Sequence, residues 1–432
     1  MSRRGWRRLL TAMLVALLAA AAWSGWQAML ARQDRALQGF ITRHWAQPLA
    51  PQGRPPAHWS ALEASLEPQS CGQCHAQQFA DWSSSLHSRS VGPGLRWQLR
   101  TFEPAQANEC LNCHAPLAEQ KALTALEHGW SNAPAASAPA FVGDQLQRQG
   151  LVCAACHVRG HQRFGPPGAV APSASQPHGG YVAAAAFSDS RFCSSCHQFP
   201  PEGRRVNGKL VEDTYEEWRT SPYAKQGQSC QSCHMPGRRH LWRGVHDAAM
   251  VDAALGRELR VQRLDATRIR VSAVMRNRGA GHRLPTYVVP KIRVELHLYG
   301  ERPADHLRLG HHVIGRTVDV ALERELADTR LAPGAQHAIS FETALPAGTW
   351  RVVLRTVVAP AEHYERMFAE MDRRHPEFDA ATRSLLHEAR SAAEAARFTL
   401  ADLSLAVPAE PGAQASVAAS AAASAAASAV AN

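Results

Sequence analysis

The sequence predicts an α+β fold: a mostly helical, loop-rich region, then a small antiparallel β-sandwich, then a C-terminal helix. Three observations predict it. A Cys-x-x-Cys-His motif occurs five times between residues 71 and 234, separated by segments rich in Gly, Pro, Ser and Ala, which favour loops. Apolar and polar residues alternate over 257–360, as they do in strands. Helical spacing returns over 361–400.

The five motifs use all ten cysteines of the chain. Their histidines are 39, 43, 40 and 37 residues apart, a near-constant spacing that indicates a repeated structural unit. The motif residues are Cys71, Cys74 and His75; Cys110, Cys113 and His114; Cys153, Cys156 and His157; Cys193, Cys196 and His197; and Cys230, Cys233 and His234.

This residue order is what covalent haem attachment requires, because two cysteines bind the haem and the adjacent histidine binds its iron. A zinc ribbon would pair one Cys-x-x-Cys with another and would need no histidine after each pair. Thiol redox motifs occur singly on an α/β background. The sequence therefore predicts five c-type haems as cofactors, with the motif histidines as iron ligands.

The second axial position of each iron decides the chemistry. A second histidine or a methionine closes it and makes an electron-transfer centre, whereas an open position can bind a substrate. The chain has 22 histidines, so candidate distal ligands are plentiful. The candidates are His87, His178, His240, His246 and His282.

The candidates differ in sequence context. His87 lies twelve residues after His75 on an amphipathic stretch and can reach another haem. His240 and His246 follow the fifth motif, and His246 is preferred of the two; His282 is flanked by Gly and Pro. His128 and His161 are weaker candidates, and aromatic residues between the motifs, including Trp242, are expected to pack against haem rather than relay electrons.

The N-terminus has the composition of an export signal, with arginines before an apolar run from Leu9 to Leu30. The run is about long enough to span a bilayer, while Ala20–Ala22 offer a cleavage site, so both a retained anchor and a cleaved signal stay open. Either one places the rest of the chain on the periplasmic side of the bacterial inner membrane, where c-type haem is attached.

The predicted organisation follows the changes in composition. It comprises a signal anchor or signal peptide (1–30), a stalk (31–67), a pentahaem cytochrome domain (68–256), a sandwich-like domain (257–360), a helical segment (361–400) and a disordered Ala/Ser tail (406–432). The formal charge of +10 would suit an anionic partner. Arginine pairing with haem propionates explains the excess, and no nucleic-acid partner is expected.

Several segments resemble the multihaem cytochromes of the cytochrome c-554 type over about residues 67–290. They are DWSSSLHSRS after the first motif, TYEEWRTSPYAKQGQSCQSCHMP at the last, RHLWRGVHDAAMV after it, and GAGHRLPT. The resemblance implies a helical domain of closely stacked, largely bis-histidine haems that transfers electrons in the periplasm. It supports His87, and further His246 and His282, as distal ligands.

One departure from that family bears on function. Tyr223 stands in EEWRTSPYA where relatives often have a histidine, which leaves one haem without a local distal ligand unless a distant residue such as His282 replaces it.

The expected function is electron transfer through the haems between a quinol-linked membrane donor and a soluble acceptor. The alternative is a haem enzyme that reduces or oxidises a small nitrogen or sulfur oxyanion at one five-coordinate haem, beside Tyr223, Lys225 or an arginine cluster. A third reading is an assembly subunit whose sandwich docks a partner. No residue is assigned a catalytic role.

Overall fold

The computed structural model describes residues 3–135, 138–168, 173 and 176–419. The α-helices are α1 (Arg3–His44), α2 (Ala61–Ala64), α3 (Pro68–Gly72), α4 (Ala76–Ser84), α5 (Pro93–Leu99), α6 (Pro104–His114), α7 (Ala118–His128), α8 (Cys153–His157), α9 (Arg191–His197), α10 (Thr214–Arg219), α11 (Pro222–Lys225), α12 (Cys230–His234), α13 (Ala248–Ala254), α14 (Glu362–Arg374) and α15 (Ala380–Ala395).

The strands are short in the first half of the chain and long in the second. They are β1 (Val158–Arg159), β2 (Gln162–Gly165), β3 (Val182–Ala183), β4 (Arg205–Val206), β5 (Lys209–Leu210), β6 (Leu255–Arg263), β7 (Arg268–Asn277), β8 (Lys291–Tyr299), β9 (His306–Ile314), β10 (Arg316–Val318), β11 (Glu325–Asp328), β12 (Gln336–Ala344), β13 (Arg351–Ala359), β14 (Phe398–Ala406) and β15 (Gln414–Ala418). The predicted α+β class is confirmed.

Helix α1 runs unbroken from the apolar N-terminal segment into the region of the motifs. Within 10–44 it is long and apolar enough to cross a bilayer, and that apolar window is not buried in the protein. Its last turns pack Leu37, Phe40 and Ile41 against Phe187 and Phe192. The first part of the predicted stalk is therefore helix packed on the region of the motifs, because its apolar residues recur on one helical face.

Short helices carry most of the Cys-x-x-Cys-His motifs. The second motif ends α6, and the third, fourth and fifth form or end α8, α9 and α12. Residues three and four apart lie on one face of a helix. One helical turn thus presents both cysteines and the histidine in the same direction.

The second half of the chain forms a sandwich of two four-stranded antiparallel sheets. Their strand orders are β12-β7-β6-β15 and β14-β13-β8-β9. Strand β7 alternates exposed and buried residues, and its buried face contributes Ile269, Val271, Ala273 and Met275 to the core between the sheets. This is the antiparallel arrangement that the alternating pattern predicts.

The C-terminal part differs from the prediction. The helical segment is two helices, α14 and α15, and the chain then returns to the sandwich as β14 and β15. Residues 414–418, predicted as disordered tail, pair with β6 in the register Ala415↔Val261 and Val417↔Leu259. Composition misled here because the partner strand, β6, is distant in sequence and the segment's own residues do not reveal it. Residues 420–432 of the predicted tail lie outside the described residues.

Two contacts join the sandwich and its helices to the haem region. Trp97 of α5 packs with Phe368 and Leu386 of α14 and α15. Arg316 of β10 is 1% exposed and donates to the carbonyl oxygens of Leu210 (2.6 Å) and Val206 (2.7 Å) in the β4–β5 hairpin and to Glu325 (2.8 Å). Its guanidinium therefore satisfies two backbone carbonyl groups and the Glu325 carboxylate at this junction.

Replacing that guanidinium tests the junction. Arg316→Ala is expected to lower the free energy of unfolding by about 3 kcal/mol, because removing one member of a buried ion pair leaves its partners unsatisfied. Arg270→Ala is the matched control: Arg270 and Glu342 form an exposed pair, which is worth less than about 1 kcal/mol. Urea unfolding of the full chain measures both, and equal losses would contradict the role of Arg316.

Candidate haem-binding site

The cysteines of different motifs approach one another in three places. The thiols of Cys71 and Cys153, of Cys113 and Cys196, and of Cys193 and Cys230 lie close enough to shift each other's pKa. None of the ten cysteines forms a disulfide. Within the described part of the chain, His, Cys, Asp and Glu side chains form no cluster that would hold a metal ion directly. The arrangement argues against zinc and brings motifs one and three, two and four, and four and five together.

Three motif histidines have the same hydrogen bond. The Nδ1 atoms of His114, His157 and His234 lie 2.8, 2.7 and 2.6 Å from backbone carbonyl oxygens. A carbonyl only accepts, so Nδ1 carries the proton in each ring. The Nε2 lone pair is then free to bind a metal, with its direction fixed by the carbonyl.

A second histidine faces three of the five motif histidines. Ring centres are 6.1 Å apart for His157 and His240, 6.3 Å for His197 and His87, and 6.4 Å for His234 and His282. A histidine–metal bond is about 2 Å long and the ring centre lies about 1 Å beyond the nitrogen, so two imidazoles on opposite sides of one metal ion have centres about 6 Å apart. The observed spacings fit an iron between each pair.

Two of the facing histidines share the Nδ1 hydrogen bond. His240 donates from Nδ1 to the carbonyl of Arg238 (3.0 Å), and His282 to that of Arg283 (2.8 Å). His87 differs, because its Nδ1 atom is buried without a hydrogen-bond partner among the described residues. The His87 ring therefore lacks the hydrogen bond that orients the other facing imidazoles.

Burial keeps these imidazoles neutral, as metal binding requires. It lowers the pKa of His87 to about 3. It is also the main cause that lowers the pKa of His157 and of His282 to about 4. Protons therefore do not compete for the ligating nitrogens at neutral pH.

The loop that carries His282 is held by residues from both halves of the chain. Asn277, at the end of β7, is fully buried, and its Nδ2 donates to the carbonyl of His282 (2.9 Å). The hydroxyl of Tyr223, from the haem region, donates to the carbonyl of Arg278 (2.8 Å). A side chain at Gly281 would meet Tyr223 Cβ at 3.2 Å. Tyr223 thus supports the loop that brings His282 opposite His234.

His240 is fixed through Asp81 of α4, which is 3% exposed. Its carboxylate accepts two hydrogen bonds from Arg239, both 2.7 Å long, and one from the backbone N–H of His240 (3.0 Å). The Arg239 guanidinium and these hydrogen bonds hold the pKa of Asp81 below its usual range. The ion pair therefore ties the chain after the fifth motif to α4.

His178 and His246 do not complete such pairs. Burial is the main cause that lowers the pKa of His178, and its Nδ1 donates to the carbonyl of Gly180 (2.9 Å). His246 is exposed beside Arg89. The structure thus brings His240, and not the preferred His246, opposite a motif histidine.

The weaker candidates are engaged elsewhere. Nε2 of His161 lies 3.1 Å from the carbonyl oxygen of Gly53. This nitrogen is therefore not free to bind iron. His128 stacks on Trp130 with ring centres 5.3 Å apart. The sequence analysis missed His44, which is buried at the end of α1 with its Nε2 2.7 Å from the carbonyl of Cys156; nothing in its local sequence distinguishes it.

The second motif has different surroundings. Among the described residues no imidazole stands opposite His114 at the spacing of the three pairs. This motif therefore lacks the facing histidine seen at motifs three, four and five.

Comparison with known proteins agrees with this geometry. Residues 70–157 match the family described as cytochrome c554 and c-prime. The resemblance to the cytochrome c-554 type that the sequence suggested is confirmed over that segment. No curated protein matches the chain.

The fold of the chain is similar to the crystal structure of a penta-heme cytochrome c552 from Thermochromatium tepidum. The TM-score is 0.54 and the identity 17%, over 80% of this chain and 100% of the other. At that identity the likeness concerns the fold alone.

Removing the Asp81 carboxylate tests the link between α4 and the chain after the fifth motif. Asp81→Ala is expected to cost about 2–3 kcal/mol of unfolding free energy, since hydrogen bonds to charged groups are lost and a backbone N–H is left unpaired. Asp402→Ala removes a more exposed partner of Arg355 and is expected to cost less than about 1 kcal/mol. Urea unfolding compares the two; a cost for Asp81→Ala no larger than the control would contradict the link.

Proposed function

We propose that the chain binds five c-type haems and passes electrons along them on the periplasmic side of the bacterial inner membrane. The donor is a quinol-linked membrane protein and the acceptor a soluble protein. The observation that carries this proposal is the set of three facing imidazole pairs at 6.1–6.4 Å. Two strong axial ligands close an iron to substrates and leave it only an electron to exchange.

The ligand pairs follow from these contacts. His157 with His240, His197 with His87, and His234 with His282 would hold the third, fourth and fifth haems. When bound, each haem supplies an iron that alternates between the ferric and ferrous states. The protein residues fix the imidazoles, exclude water by burial and attach the porphyrin through the motif cysteines. His178, which forms no facing pair, is proposed as the distal ligand of the first haem because its Nδ1 donates to the carbonyl of Gly180 and Nε2 is then the nitrogen that can bind iron.

The order of the haems follows from which cysteines lie close together. Such cysteines in two motifs bring the haems they hold into close approach. Motifs two, four and five form one such series, through Cys113 with Cys196 and Cys193 with Cys230. Motifs one and three form another, through Cys71 with Cys153. Electrons would pass within each series directly between haems, without protein side chains as intermediates.

The membrane association proposed here rests on α1. The helix continues from its apolar window into the packing of Phe40 and Ile41 against Phe187 and Phe192. Asp34 also pairs with Arg191 at 2.8 Å, next to the fourth motif. A retained anchor would therefore hold the haem region at a fixed distance from the bilayer rather than on a flexible stalk.

A second function is favoured by one specific observation. Among the described residues, His114 has no facing imidazole at the spacing of the three pairs. A haem held there would be five-coordinate and open to a small nitrogen or sulfur oxyanion.

Distal-ligand variants test the main proposal. The purified full chain is expected to contain five haems by pyridine haemochrome and iron analysis. His87→Ala, His240→Ala and His282→Ala are each expected to convert one low-spin haem to high-spin in the EPR spectrum, because each removes one axial nitrogen. His246→Ala and His128→Ala are the controls and should leave every signal in place. Unchanged spectra in the first three variants would refute the assigned pairs.

Ligand binding separates the two functions. If the second motif holds an open haem, one high-spin signal is expected in the untreated protein, and carbon monoxide or nitrite should shift it. If all five haem signals are low-spin and neither ligand changes them, the enzymatic function is refuted and electron transfer is the function that stands.

A further inference from the structure

One short segment after the fifth motif contacts three of the motif histidines or their partners. It runs from residue 238 to residue 243. His240 faces His157 at 6.1 Å. The carbonyl of Arg243 accepts the Nδ1 proton of His234 at 2.6 Å. Between these two residues, the ring of Trp242 contacts His87. A segment of six residues therefore contacts histidines of the third, fourth and fifth haem sites.

Trp242 lies between the distal histidines of two different sites. Its ring centre is 4.6 Å from that of His87 at an interplanar angle of 69°, and 5.1 Å from that of His240 at 87°. Both are edge-to-face contacts, the geometry that aromatic rings prefer. A rigid indole that touches both imidazoles limits how far either can turn about its own axis.

The backbone at Trp242 is in an unusual conformation. Its φ is 44°, in the left-handed region that bulky residues seldom adopt. Its N–H donates to the carbonyl of His234 at 3.0 Å, which holds the turn closed. Strain of this kind persists where the surroundings fix it and is concentrated at functional positions. Glycine would adopt this φ with less strain. The presence of tryptophan at this position therefore points to a role for its side chain.

His87 depends on this contact more than His240 does. The His240 ring donates from Nδ1 to the carbonyl of Arg238, whereas Nδ1 of His87 has no partner among the described residues. Without a hydrogen bond, packing alone sets the plane of the His87 imidazole. Trp242 is the aromatic ring closest to it, since the facing His197 lies at 6.3 Å.

We propose that Trp242 is a positioning residue that fixes the distal imidazoles of the third and fourth haems together. It couples the ligand geometry of two haems that belong to different cysteine-linked series. The proposal rests on the bis-histidine assignment made above. It assigns Trp242 a role that ordinary haem packing, the expectation from the sequence, does not include.

EPR spectroscopy of the haem-loaded full chain tests this role, because the orientation of the axial imidazole planes determines the g values of a low-spin haem. Trp242→Ala is expected to retain five haems and to shift or broaden two low-spin signals, those lost in His240→Ala and His87→Ala, with the larger shift in the latter. Trp242→Phe, which keeps an aromatic ring, should restore both signals at least in part.

Two further variants separate the ring from its surroundings. Trp242→Gly removes the ring and relieves the backbone, so it should reproduce the Trp242→Ala spectrum; a wild-type spectrum would mean that only the backbone matters and would overturn the proposal. Trp97→Ala removes a Trp that is 4% exposed and contacts Phe368 and Phe378. It should leave both signals unchanged, and the same two shifts there would also overturn the proposal.

The outcome is distinguishable from failure of the bis-histidine assignment. If His87→Ala and His240→Ala leave all low-spin signals in place, the assignment itself is wrong. If those variants act as expected and Trp242→Ala leaves both signals unchanged, only the role of Trp242 is refuted.

Discussion

A hydrogen bond from imidazole Nδ1 to a backbone carbonyl is the interaction on which the site depends. Because the carbonyl can only accept, it fixes the tautomer and aims Nε2 in one direction. Five of the histidines that make up the three facing pairs and the second motif have this bond: His114, His157, His234, His240 and His282. The fold must therefore deliver carbonyl groups, and not only histidines, to exact places, which explains the short helices and turns around the motifs.

The sandwich helps to position a histidine beside the fifth motif, although it follows the motifs in the chain. The loop between β7 and β8 carries His282 to the fifth motif, and Asn277 and Tyr223 hold the loop from opposite sides. Helices α14 and α15 pack on α5, while Arg316 joins the sandwich to the β4–β5 hairpin. The two halves thus form one structure, in which the β-domain completes a site begun in the helical region.

The sequence was a better guide to the cofactor class than to the tertiary contacts that position the histidines. Five Cys-x-x-Cys-His motifs and strand alternation are local patterns, so the cofactor class and the α+β fold could be read directly. The choice of His240 over His246 depends on Asp81, which is more than 150 residues away in sequence and fixes the backbone of His240. The return of 398–406 and 414–418 to the two sheets likewise depends on partners that those segments do not contain. Such features require the tertiary structure.

The most direct measurement is a crystal structure of the haem-loaded chain, with the irons located by anomalous diffraction. The account predicts an iron between the rings of His157 and His240, another between His197 and His87, and a third between His234 and His282, each bound through Nε2. An iron bound at any of these motifs by a different distal residue, or a facing pair without an iron between its rings, would contradict it.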